Sequence, residues 1–170
     1  MKGVVIDKGE KYFTFLGSIF GSIENIQKDY NWLITGHECY PQNAKYVEKL
    51  SKEWCWMTGE ELTEMIEDEN FQWIWGVLSA FPKDVTKDVV LKYNLPKADG
   101  NDKIWHNPIS IQHPLSVMEI IAWDSSMTIF ISRCNNIVEK LAVSNPLAED
   151  LEEISPPIRP VLKMYIEQYS

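Results

Sequence analysis

A chain of 170 residues that is 45% hydrophobic and 12% aromatic is long enough for one globular core, and a domain of this size buries ~70% of its unfolded surface without a disulfide framework. Its three cysteines, Cys39, Cys55 and Cys134, match neither paired bridges nor a zinc or redox Cys-x-x-Cys motif, so a reducing cytoplasm is the expected compartment. With 16 Lys and Arg against 25 Asp and Glu, the net charge of −9 repels phosphate and anionic lipid, which excludes nucleic-acid and membrane-surface binding as expected functions.

In chain order, a first strand is expected within Gly3–Ile6 or Tyr12–Phe15. The short run Val4-Val5-Ile6 falls below the ~7–15 apolar residues of a signal peptide, so an untargeted chain is expected. No uncharged apolar run reaches the ~18 residues that span a bilayer. In LGSIFGSIENIQ (16–27), Leu16, Ile19, Phe20, Ile23 and Ile26 recur at helical spacing. The Gly-Ser pairs there lack the Gly-Lys-Ser/Thr of a phosphate loop, so Gly17 and Gly21 are expected to serve close helix packing. YNWLIT (30–35) reads as a strand that ends at Gly36.

MTGEELTEMIED (57–68) carries the strongest local signal. Thr58 and Glu61 are spaced for a capping box, and Met57 and Leu62 for a hydrophobic staple. Leu62, Met65 and Ile66 form the apolar stripe, which leaves Glu60, Glu61, Glu64 and Glu67 outside. Their early position suits the helix dipole, and an acidic face also suits a basic partner.

FQWIWGVLSAFP (71–82) is apolar on both faces and reads as a central strand, with Trp73 and Trp75 pointing the same way. A short helix fits 83–93. PKADGNDKIWHNP (96–108) is a loop rich in turn residues and charge, the expected lid or mobile excursion, with Trp105 as the aromatic placed to meet a ligand or partner. Two strands flank AWDSSMT (122–128), where Asp124 and the serines serve a turn. Placing Met118, Ile120 and Ala122 on one face with Met127, Ile129 and Ile131 requires an even number of loop residues. Residues 133–145 form a helix whose start holds Cys134 beside Arg133. An acidic segment (147–153), a rigid SPPIRP and a final helix over VLKMYIEQY complete the chain.

The expected fold is a single α+β domain, a largely antiparallel sheet of about five strands (near 4–15, 30–35, 71–80, 117–123 and 127–132) with helices packed on it. No nucleophile elbow accompanies Ser125 and Ser126, and His37-Glu38-Cys39 lacks the paired clusters of a zinc site, so no cofactor or metal is expected. Glu119, the one acid inside an apolar strand, is expected at a sheet edge or in an ion pair.

GSIFGSIENIQKDYNWLI, the GEELTEMI and FQWIWGVLSAFPK block and SVMEIIAWDSSMTIFIS together resemble, over roughly residues 10–145, a family of small uncharacterised proteins of Gram-positive bacilli. In size, charge and α+β order the chain also resembles acidic immunity proteins that neutralise bacterial toxins. The leading expectation is a non-enzymatic cytoplasmic binding protein whose acidic helix at 58–69, with Glu60, Glu61, Glu64 and Glu67, and acidic segment at 147–153 engage a basic protein, such as a toxin. The alternative is a small-molecule-binding protein or hydrolase with a pocket near His37, Glu38, Trp105, His106 and Glu119.

Overall fold

The computed structural model describes residues 1–154, so the expected SPPIRP segment and final helix lie outside the described residues. Seven strands form one sheet: β1 Lys2–Ile6, β2 Tyr30–Cys39, β3 Trp54–Thr58, β4 Trp73–Pro82, β5 Met118–Trp123, β6 Met127–Ser132 and β7 Glu149–Asp150. Their order is β3-β2-β4-β5-β6-β1-β7, and every pairing is antiparallel. Among the described residues the sheet therefore has seven strands, not about five. β3 escaped notice because WCWMT is short and its last residue doubles as a helix cap; β7 spans two residues.

Helices α1 Leu16–Ser22, α3 Gly59–Asp68 and α5 Asn135–Ser144 bury their apolar stripes on one sheet face, in a core with Trp32, Ile34, Leu78, Ile120 and Phe130. The short α2 Ala44–Lys49 adds Tyr46 to this layer. The opposite face, with Val77, Ile121, Trp123, Ile129 and Ile131, is covered by Ala98, Ile104, Trp105, Ile109, Ile111 and Leu151. A third group, Leu33, Phe81 and Val90, lies under the short helix α4 Lys87–Val90. Both faces of this antiparallel sheet are thus dry.

That double burial explains the hairpin. Trp123 pairs with Met127 and Ile120 with Phe130, which leaves the three-residue loop Asp124-Ser125-Ser126 in place of the expected even one. All six residues of β5 are buried, so apolar character on either face cannot choose the register. Asp124 and Ser125 instead adopt left-handed φ values of 48° and 56°, which a short polar turn tolerates.

Other expectations are revised by irregular backbone. β2 does not stop at Gly36 but runs to Cys39 through a bulge between Thr35 and Cys39, opposite Trp73–Val77. Across that irregularity Trp73 joins the helix-side core and Trp75 the opposite one, so the two indoles do not share a face. Tyr12–Phe15 contributes only a single bridge, Phe15 to Gln72. Gly17 lies against the Asn70 side chain, whereas a Cβ on Gly21 would meet nothing, so close packing accounts for the first glycine alone.

The capping box forms as expected: Glu61 N donates to Thr58 Oγ1 at 3.1 Å and Thr58 N to Glu61 Oε2 at 2.8 Å. Gly59 has a further role. A Cβ there would lie 2.0 Å from the Gln27 carbonyl oxygen, so the start of α3 sits directly on the 26–29 turn. Thr63, bonded to Gly59 O and to the Gln27 side chain, seals that junction.

Candidate functional site

Among the described residues the one carboxylate in the interior of the sheet is Glu119, on β5, fully buried and facing Ser79 across the β4 pairing. It lies neither at an edge nor in a salt bridge. Its Oε1 accepts hydrogen bonds from Ser79 Oγ and His113 N, each 3.1 Å long, and its Oε2 accepts from Gln112 N at 3.0 Å. Burial pushes the carboxyl up to about 7, against partial relief from the two backbone amides and the serine.

Those amides belong to a strap, residues 110–116, that crosses the sheet. His113 is fully buried; its Nδ1 accepts from Leu115 N, so Nε2 carries the proton and donates to Val90 O at 3.1 Å. Desolvation lowers its pKa, which keeps the ring neutral and the tautomer fixed. Phe81 and Tyr93 meet the ring edge-on at 4.8 and 5.2 Å. Ser116 Oγ donates within the strand end to carbonyls of Ala80 and Met118, and Arg133 donates to Ser116 O and Pro114 O.

Outside the strap lies a cleft of about 640 Å³, lined by residues 94–97, 100–104, 106 and 110–112. Its volume falls within the ~300–1,000 Å³ of ligand pockets. Lys97, Lys103 and His106 bring positive or protonatable groups, and Asp102 one acid. Gln112 connects the cleft to the buried glutamate: its backbone N binds Glu119, while its Oε1 accepts from Lys97 N and Asn101 Nδ2 at 3.0 and 2.8 Å. Its Nε2 is enclosed without a hydrogen-bond partner among the described residues, a deficit that costs ~1–3 kcal/mol.

The pocket expected near His37, Glu38, Trp105, His106 and Glu119 is assembled only in part. His106 lines the cleft and Glu119 lies behind its Gln112 wall. Trp105 belongs to an ordered turn, Asp102–Trp105, whose Ile104 and Trp105 are buried, so 96–108 is a packed cover and not the expected excursion. The Trp105 ring stands edge-on to Trp123 at 5.1 Å. His37 sits on the β2 bulge, donating through Nε2 to Leu50 O at 2.8 Å, and Glu38 accepts from the Tyr40 hydroxyl. Neither contacts the strap. Burial raises the neighbouring Cys39 thiol to about 12, so it stays protonated at neutral pH. Cys134 is exposed at the start of α5, with Arg133 committed to the strap carbonyls.

On α3, every singled-out glutamate faces a lysine from a different part of the chain: Glu60 and Lys83 at 2.7 Å, Glu61 and Lys49 at 3.2 Å, Glu64 and Lys45 at 3.2 Å, Glu67 and Lys28 at 4.0 Å. Lys83 holds the Glu60 carboxyl below its ordinary range, and the Thr58 amide does the same for Glu61. Asp68 accepts from Tyr46 and Asn43, and Glu69 from the amides of Gln42 and Asn43 at the start of α2. The acidic face is therefore knitted into the surrounding elements.

Ser79, Gln112 and His113 were not anticipated. Ser79 had a signal, as the only hydroxyl in an apolar strand; pairing it with Glu119 required the register. Gln112 and His113 bind Glu119 through backbone N–H groups, which any residue supplies.

Among the described residues, no helix is long and apolar enough to cross a membrane. No curated protein and no solved structure matches the chain. A family model matches residues 1–95, from β1 through α4, and by that match the chain belongs to the family described as protein of unknown function, DUF2691.

Proposed function

We propose that this protein is a non-enzymatic binding protein, and that the cleft formed by 94–97, 100–104, 106 and 110–112 takes a small polar ligand bearing a carboxylate, carbonyl or phosphate oxygen. The observation that carries this reading is the cleft of about 640 Å³ itself, walled by the polar side chains of Asn94, Asn101, Ser110 and Gln112. Lys97 and Lys103 add positive charge there in a chain of net charge −9, which favours an anionic ligand locally. Glu119 has no solvent exposure and both oxygens engaged. It serves the site by positioning the strap, and it does not reach the cleft as a proton donor.

Ligand-dependent thermal stability tests the reading with a panel of small carboxylates, amides and phosphate esters. A ligand at 100 times its Kd adds ~2.7 kcal/mol, or roughly 5–10 °C for a chain of this size. A panel that leaves the melting temperature unchanged, or a shift that survives Lys103→Glu undiminished, counts against it.

A second reading assigns a basic protein partner to α3, supported by the Glu64 and Glu67 side chains, which are 69% and 70% exposed. Such a partner would displace Lys45 and Lys28 from pairs worth ~0–1 kcal/mol. Glu64→Lys with Glu67→Lys is the clean test because Glu61 also caps the helix; undiminished binding of a basic partner by that variant removes α3 from this reading.

A further inference from the structure

The edge of the sheet at β3 is built unlike a protected edge. Natural edge strands are blunted by charged side chains, proline or bulges on the strand itself. β3 reads Trp-Cys-Trp-Met-Thr, with none of these, and pairs with β2 in unbroken register from Thr35–Trp54 to Asn31–Thr58. Among the described residues β2 is its only sheet neighbour, so its outward backbone groups are available to another strand.

Alongside this edge runs a second cleft, about 610 Å³, lined by Lys45, Lys49, Lys52, Lys87, Trp54 and Trp56, with Glu48, Ser51 and Cys55. Three of the lysines come from α2 and the loop after it, and the fourth from α4. The positive charge thus flanks the open strand without sitting on it. Lys45 and Lys49 are partly neutralised by Glu64 and Glu61, while Lys52 and Lys87 have no ion pair among the described residues. Trp54 and Trp56 are half-buried on one side of β3 and offer apolar surface, Trp56 resting 5.7 Å from the Phe81 ring.

An unpaired strand supplies backbone hydrogen bonds to an extended peptide, and flanking pockets select its side chains. Here the flanking groups are cationic and aromatic. We propose that the β3 edge receives an acidic, extended segment of a partner protein as an added strand, its carboxylates meeting Lys52 and Lys87 and its intervening apolar residues meeting Trp54 or Trp56. A second copy of this chain fits poorly, because β3 against β3 would bring the two sets of lysines together. A nucleic acid would meet the net charge of −9. The proposal is independent of the ligand cleft at 94–112.

The test uses the full chain and a fluorescent peptide of alternating glutamate and valine. The expected result is saturable, salt-sensitive binding, with slowed hydrogen exchange at the outward-facing β3 amides, those within 54–57 that do not already donate to β2. Lys52→Glu with Lys87→Glu, both exposed positions, should weaken binding by roughly tenfold or more while the melting temperature stays unchanged. A peptide of the same sequence N-methylated on alternate residues keeps its charge but loses backbone donors, and should not bind. Absence of binding, equal binding of the N-methylated peptide, retention of affinity by the lysine variant, or no protection of the outward-facing β3 amides would each overturn the proposal; so would sedimentation showing that the chain closes this edge by self-association.

Discussion

Replacing Glu119 by glutamine removes the titrating carboxyl while nearly preserving its volume, and so isolates the effect of burying an acid in the middle of the sheet. The folded-state value of about 7 lies above the ordinary 4.5, a difference worth roughly 3 kcal/mol at ~1.36 kcal/mol per pH unit. Because the folded state holds this proton more tightly than the unfolded state, the stabilisation is fully present below pH 4.5 and is lost as the pH rises to about 7. Above that the loss is constant. The lowered pKa of His113 works in the opposite direction, since stability there is lost as the pH falls below 6.5. His113 is present in both proteins, so it cancels in their difference. Urea unfolding at a series of pH values, followed by tryptophan fluorescence, gives the two stability curves. Glutamine keeps one acceptor oxygen and loses the other, an offset of ~1–3 kcal/mol that does not vary with pH. The slope of the difference is therefore diagnostic: the variant should gain roughly 3 kcal/mol relative to the natural protein between about pH 4.5 and 7. Parallel curves would refute the burial argument, and a difference of opposite slope would show that the amide donors outweigh desolvation.

Gly59→Ala should cost at least ~1–3 kcal/mol, since backbone and not a movable side chain opposes the new methyl, whereas Thr58→Ala should cost ~1 kcal/mol for the lost cap; urea midpoints at constant slope compare them directly. Trp105→Ala should lower stability by ~3–5 kcal/mol in the absence of any ligand, and an unchanged unfolding midpoint would place that ring outside the core. Cys39 should react with a thiol reagent at pH 8 far more slowly than Cys134, because burial raises Cys39 to about 12 while Cys134 is exposed; mass mapping of the labelled sites reads the order.

The features legible in the sequence are those decided within a few residues. Thr58 and Glu61 form their capping box wherever α3 lies, and Leu16, Ile19, Phe20 and Ile23 mark a buried stripe by spacing alone. Strand register was not legible, because Met118–Trp123 and most of Met127–Ser132 are buried on both faces and the apolar pattern carries no phase. The segment 96–108 looked loose from its prolines, glycine and charges, yet Ala98, Ile104 and Trp105 anchor it to the second sheet face. Its polar residues line the cleft on the outside. Glu119 was legible as an anomaly, but its partners lie on β4 and the strap, 40, 7 and 6 residues away, and two of them act through backbone amides. The acidity of α3 was legible too; the matching lysines at 28, 45, 49 and 83 come from three separate parts of the chain, the 26–29 turn, α2 and the residue that follows β4, which only the fold assembles.

The ligand cleft is tested most directly by nitrogen-detected NMR of the side-chain amide of Gln112 during titration with small carboxylates, amides and phosphate esters. The account predicts a saturable shift of that amide, together with the backbone amides of 101–104 and 110–112, by at least one class of compound. Compounds that bind saturably elsewhere while leaving the Gln112 amide unmoved, or a panel that moves nothing, would contradict it.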